Sequence, residues 1–234
     1  MQKQSIENFI GRYSLGGEIE SVKIESNDTS MNVSFISDDK TLLGTVSADN
    51  GNFPNGEFGI YTTSQLKSLL SVLESNVNIN SADAYIKFSD KNTSVNYMLA
   101  DLSVIPNVPD LKQLPDFDTE IKLDSNFISK FIKAKGALAD ENNFTFTCNG
   151  NNSGQIILGY SNINTNRIKI DVDCTCKKDK VDPISFSANF LKEILVANKE
   201  ATDATLKISS QGLAHISFEV DEYESNYYLV EIQS

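Results

Sequence analysis

Residues 64–74 read SQLKSLLSVLE, and the heart of that stretch, Leu66-Lys67-Ser68-Leu69-Leu70, is restated as Leu191-Lys192-Glu193-Ile194-Leu195. Leu66, Leu69, Leu70 and Leu73 recur at the three- and four-residue spacing of a helix with one apolar stripe, and Lys67 falls off that stripe. Two further echoes keep the same order. Phe9-Ile10 is matched by Phe131-Ile132, and Asn96-Tyr97-Met98-Leu99-Ala100-Asp101-Leu102 by the closing Asn226-Tyr227-Tyr228-Leu229-Val230-Glu231-Ile232. The offset between copies grows along the chain, as small loop insertions would make it. The chain is an internal duplication.

Four segments carry helical periodicity, 3–12, 62–74, 124–139 and 187–200, each with Ser, Thr or Asp near its start. Most of the rest reads as short strands rich in β-branched and aromatic residues: 31–36, 85–88, 94–99, 143–148, 155–160, 167–172, 204–208, 214–220 and 226–232. Turn pairs Asn50-Gly51, Asn55-Gly56 and Asn149-Gly150 punctuate them. Between the halves, 103–120 (SVIPNVPDLKQLPDFDTE) holds three of the five prolines, and proline lacks an amide donor. That segment reads as an extended connector. The organisation expected is therefore α+β, with similar domains at 1–102 and 121–234 joined by 103–120, and helices packed on antiparallel sheets.

Charge sharpens the reading. The 234 residues carry 20 Lys+Arg and 32 Asp+Glu, a formal net charge of −12, which as a whole-chain figure argues against a nucleic-acid binder. Divided by element, it reverses. The four helical windows, the third extended to Asp140, hold eight basic residues (Lys3, Arg12, Lys67, Lys130, Lys133, Lys135, Lys192 and Lys199) against six acids, leaving −14 for everything else. Lys130 and Lys133 lie opposite the arc of Phe127, Ile128, Phe131 and Ile132 at 100° per residue, whereas Lys135 falls on it.

Catalytic chemistry is not legible. The single histidine, His215, sits inside a strand pattern, and no nucleophile-elbow, phosphate-loop or dinucleotide pattern is present, so no enzyme and no cofactor are expected. Cys174-Thr175-Cys176 puts two thiols on one strand face without the further ligands of a tetrahedral site, so no metal is expected. Three cysteines form no even framework, and residues 1–20 hold no apolar run of signal-peptide length. A reduced, cytoplasmic protein with no membrane association is the expectation. An acidic β-sandwich adhesion or virion structural module remains an alternative, but it explains neither the helix pairs nor the segregation of charge.

Taken together, the tandem helix–strands–helix–strands halves, the connector at 103–120, the SQLKSLLSVLE helix with its YIKF strand and the terminal NYYLVEI resemble a sliding clamp. The likeness is to the processivity factors of DNA polymerases, and most to the T-even-type bacteriophage member. The resemblance implies a clamp fold closed as a homotrimeric ring around duplex DNA, held without regard to sequence, with DNA polymerase and clamp loader as partners in the host cytoplasm. It places the eight helix cations on the DNA side. It makes the subunit interface from edge strands at 94–101 and 155–161, through Tyr97, Leu99, Ile156 and Leu158. It puts an apolar pocket for partner peptides near the connector, at Val104, Ile105, Val108, Leu111, Tyr228 and Val230.

Overall fold

The computed structural model describes residues 2–111, 113–148, 152–160, 166–177 and 181–232, with the side chain of Asp203 left aside. The Asn149-Gly150 turn and Ser161, at the end of 155–161, lie outside the described residues. Two compact units divide the chain: Met1–Ser37 with Gly44–Pro109 and Asp221–Ser225, and Asp38–Leu43 with Asp110–Val220 and Asn226–Ser234.

The first unit runs α1 (Lys3–Ser14), β1 (Val22–Ser26), β2 (Ser30–Ile36), β3 (Leu42–Asp49, of which Gly44–Asp49 belong to this unit), β4 (Gly56–Ile60), α2 (Thr63–Ser71), β5 (Asn78–Ala82), β6 (Tyr85–Ser89) and β7 (Ser94–Met98). The second runs β8 (Thr119–Asp124), α3 (Ser125–Ala137), β9 (Asn143–Cys148), β10 (Ser153–Leu158), β11 (Ile168–Cys176), β12 (Val181–Ser187), α4 (Ala188–Ala197), β13 (Asp203–Ser209), β14 (Leu213–Val220) and β15 (Tyr223–Val230, of which Asn226–Val230 belong to this unit). In both, four strands separate two helices and three strands follow the second helix. That shared order parallels the repeats in the sequence.

Strands run β3-β2-β1-β4 and β5-β6-β7 in the first unit, and β12-β9-β10-β11-β8-β13-β14-β15 in the second. The strand pairs are antiparallel among the described residues whose register is defined; β1 aligns Ile24 with Val33 and with Phe58. Alternation buries one face: β8 shows it residue by residue, Thr119, Ile121 and Leu123 inward and Glu120, Lys122 and Asp124 outward. Helix α1 packs on α2, and α3 on α4. Their stripes close the core through Phe9, Ile10 and Tyr13 in one unit and Phe131, Leu191 and Ile194 in the other. Phe131 meets Phe144 edge-on at 5.9 Å, and Phe144 packs on Phe186 at 5.7 Å.

Six strands were not legible in the sequence, each for a physical reason. β5 (NINSA) has almost no buried side chain, so it carries no apolar alternation. β4 carries two glycines, Gly56 and Gly59, and at Gly59 the close carbonyl of Ala100 leaves no room for a Cβ. In β3 the ring of Phe35 covers Gly44. β12 takes Pro183 into a register shift between Val181 and Ile184, on a strand paired only with β9 among the described residues. β8 begins inside the connector, at Thr119 and Glu120, and stands between β11 and β13. β1 alternates but is only five residues long.

The cysteines also depart from expectation. Cys148 and Cys176 are joined as a disulfide and Cys174 is a free, buried thiol, because the sheet brings the lone Cys148 to the C-x-C pair. An odd count excludes only a fully paired set. His215 is half-buried, stacked on Tyr228 at 4.5 Å and 9°, with Nε2 2.9 Å from Asn226 Oδ1. Burial, partly opposed by that hydrogen bond, lowers its pKa from the ordinary 6.5. No helix among the described residues is long and apolar enough to cross a membrane.

Candidate nucleic-acid interface

Each helix presents a polar face because its stripe is consumed by the sheet beneath. Two are held at their starts by side-chain caps. Asp124 Oδ1 accepts from the Phe127 amide at 2.7 Å, and Ser187 Oγ from the Phe190 amide at 3.2 Å. At α2 the backbone of Thr62 is met instead by the hydroxyl of Tyr97, which accepts from its amide at 3.1 Å and donates to its carbonyl at 3.3 Å.

None of the four helices has an acid in its first turn. Carboxylates are favoured there by the helix dipole, and two are supplied from outside the helices: Asp124 caps α3, and Glu20 Oε2 accepts from the Ser64 amide at 2.9 Å in the first turn of α2. Within the observed helix limits the count is seven cations (Lys3, Arg12, Lys67, Lys130, Lys133, Lys135 and Lys192) against two acids, Glu7 and Glu193. The helices are thus at +5, and the remainder of the −12 chain at −17.

The eight expected DNA-facing residues separate into three groups. Lys67, Lys130, Lys133 and Lys199 are exposed, and none pairs with a carboxylate among the described residues. Lys130 and Lys133 are helical neighbours on one face of α3, and Lys199 follows the end of α4. Lys3 and Lys192 are half-buried and engaged: Lys3 Nζ donates to the Leu73 carbonyl at 2.8 Å and lies 3.7 Å from Glu7, and Lys192 Nζ lies 2.7 Å from Glu193.

Arg12 and Lys135 correct the expectation. Both are buried, at 4% and 5% exposure. The Arg12 guanidinium sits 4.1 Å over the Tyr223 ring and its Nη1 donates to the Asn8 carbonyl. Burial, with help from Glu222, pushes the Tyr223 hydroxyl up to about 12, and that hydroxyl donates to the Ser5 carbonyl at 2.9 Å. Lys135 folds along α3 to donate to the Ala139 carbonyl at 2.7 Å, so it closes the helix C-terminus and does not reach into solvent.

The expected interface strands separate too. β7 has β6 on one side and, among the described residues, only the Gly59–Ala100 bridge near its other edge, so it offers an open edge. Tyr97 itself is buried beneath α2, and Leu99 is half-buried. β10 is a correction. It is paired with β9 and β11 along its length, and Ile156 and Leu158 are buried in the core, so 155–158 has no edge to offer. The open edge lies one strand over. Ile168–Asp173 of β11 pairs with β10 on one side, and among the described residues β8 takes up the other side only from Cys174. Alternation marks a strand but not its place in a sheet, so RIKIDV carried no sign of this.

Val104, Ile105 and Val108 belong to the first unit and Leu111, Tyr228 and Val230 to the second. Val104, Leu111 and Val230 are exposed, as are Leu102 and Leu114; Ile105, Val108 and Tyr228 are half-buried.

No family model and no curated protein matches the sequence. Solved structures do match in shape. The chain superposes on proliferating cellular nuclear antigen (PCNA) of Entamoeba histolytica with a TM-score of 0.73, covering 99% of this chain and 94% of that one at 15% identity. It superposes on a chain of the PCNA2–PCNA3 complex of Sulfolobus tokodaii with a TM-score of 0.76, covering 99% and 97% at 10% identity. The fold is the PCNA-like clamp fold. Such coverage at such low identity means that the arrangement of elements is shared while almost every side chain differs. The clamp fold holds here with helix faces that carry few cations and strands rich in Asn, Ser and Thr.

Proposed function

We propose that this chain is a DNA sliding clamp, a ring-shaped processivity factor that encircles duplex DNA and tethers a polymerase, and that it is not an enzyme. The observation that carries this reading is the charge of the helices. In a chain of net charge −12, the four helices of a clamp fold present Lys3, Lys67, Lys130, Lys133 and Lys192 against Glu7 and Glu193, once the buried Arg12 and Lys135 are set aside. Exposed lysines there attract phosphates without reading bases, and a small net charge lets the ring slide. The DNA-facing set proposed is Lys67, Lys130, Lys133 and Lys199, with Lys3 and Lys192 beside them.

Ring closure as a homotrimer follows from the T-even-type resemblance, with head-to-tail contacts between the open edge of β7 and that of Ile168–Asp173 in the next subunit. Leu111, Leu114 and Val230, exposed in the second unit, are the apolar side chains offered to peptides of polymerase and clamp loader. Two measurements test the reading. Solution mass should be three times 25.8 kDa, and a chain that stays monomeric at high concentration overturns the ring. Loaded protein should persist on circular duplex and leave once the circle is cut; equal loss from both forms refutes a topological link.

A further inference from the structure

Three sulfur atoms meet on one face of the second unit, where side chains two strands apart do not ordinarily touch. Cys148 ends β9, Cys174 and Cys176 alternate along β11, and β10 lies between those strands. Neighbouring strands are about 4.8 Å apart, so residues flanking a middle strand stand about 10 Å from each other. The residue between them here is Gly154, aligned with Cys148 on one side and Val172 on the other. A Cβ at Gly154 would lie 2.7 Å from Phe146 Cε2 and 3.2 Å from Cys174 Sγ. With no side chain there, the thiols close over the glycine. Cys174 Sγ is 3.9 Å from Cys148 Sγ and 3.3 Å from Cys176 Sγ, and all three lie within 4.8 Å of one another.

We propose that, when reduced, Cys148, Cys174 and Cys176 form a three-sulfur site for a thiophilic metal ion, Zn²⁺ or Cu⁺. Zinc–thiolate bonds of about 2.3 Å separate tetrahedral sulfurs by about 3.8 Å, which matches the 3.9 Å between Cys174 and Cys148 and requires the 3.3 Å between Cys174 and Cys176 to open by about 0.5 Å. Thiolates select these soft ions over Mg²⁺ or Ca²⁺. The Thr119 hydroxyl lies 3.7 Å from Cys176 Sγ and donates toward it, a contact that orients the sulfur. Cys174 also lines an open cleft of about 750 Å³ with Asn152, Asp173 and Thr175, which gives a water access to the fourth position that Zn²⁺ requires. Cu⁺ needs no fourth ligand. In the oxidised chain two of the sulfurs are spent in the Cys148–Cys176 disulfide and the site is absent. A phosphine or dithiol supplies the two electrons that cleave that bond. Metal binding then forms three metal–sulfur bonds and releases the thiol protons to solvent.

The test uses the full chain in three preparations: reduced with a phosphine under argon, left oxidised, and reduced then alkylated with iodoacetamide. Each is titrated with Zn²⁺, with Co²⁺ as its coloured substitute, and with Cu⁺, and the mass is read under native conditions. The expected result is one ion per chain in the reduced preparation alone, with thiolate-to-cobalt absorption in the near ultraviolet. The Zn²⁺ and Cu⁺ titrations, each against a chelator of known affinity, identify which ion the site prefers. Cys174→Ser should weaken binding at least tenfold. Because Cys174 is buried and that variant can misfold, the comparison of reduced with oxidised wild type stands independently of it. A reduced chain with three titratable thiols that takes up neither ion overturns the proposal, as does equal uptake by the alkylated chain.

Discussion

The first and second units repeat one order of elements but use their helix cations differently. In the first, Lys3 is tied to the Leu73 carbonyl and Glu7, and Arg12 is buried over Tyr223, which leaves Lys67. In the second, Lys130, Lys133 and Lys199 stand exposed without carboxylate partners among the described residues. A buried guanidinium contributes packing and hydrogen bonds but little field outside the protein, whereas an exposed ammonium does the reverse. Duplicated helices can therefore share their apolar stripes and divide the work of their charges. The exposed helix lysines are concentrated in the second unit.

The stripes are where the halves should agree, and there the effect is largest. Phe9→Ala and Phe131→Ala each remove a fully buried ring, and each should cost about 3–5 kcal/mol in urea unfolding. A cost at one position only would break the structural equivalence. Arg12→Ala comes next. It strips the cation from Tyr223 and should destabilise by about 2–4 kcal/mol while the folded fraction binds DNA as before. A selective loss of DNA affinity would mean that Arg12 reaches phosphate after all.

Lys130→Glu with Lys133→Glu should show the opposite pattern. Stability should stay within about 0.5 kcal/mol of wild type, while the dependence of log affinity on log salt flattens by about two phosphate contacts. Lys67→Glu should flatten it by about one, and a larger effect from Lys67 would invert the contrast between units.

The smallest effect is one of pH. His215 has a folded pKa below its ordinary 6.5, so the unfolded chain binds the proton more readily. Its contribution to stability is present above pH 6.5 and is lost as pH falls through the folded value. His215→Phe keeps a ring against Tyr228 and should flatten stability against pH in that acidic range. An unchanged slope would show that the carboxylates alone set it.

Legibility followed the same physics. The helices, nine of the strands and the duplication could be read because a surface helix must repeat its apolar residues near 3.6 and a half-buried strand near 2. β5 could not, because it buries almost nothing, nor could β4 and β3, where glycines make room for Ala100 and Phe35. The exposure of Lys67, Lys130 and Lys133 could be read because angle around a helix follows from spacing alone. Arg12 misled because its cover, Tyr223, is more than two hundred residues away in sequence. β10 misled because its composition is that of a strand, and whether a strand is interior or edge depends on which neighbours arrive.

Local periodicity, charge and internal repetition are properties of the chain, and they sufficed for the α+β class, the tandem halves and the cationic helix faces. Meetings between distant segments are not periodic and leave no local trace. Arg12 under Tyr223, β10 enclosed by β9 and β11, the open edge of β11 and the three sulfurs closing over Gly154 all depend on which segments the fold makes neighbours. Only the folded sheet brings those partners within reach.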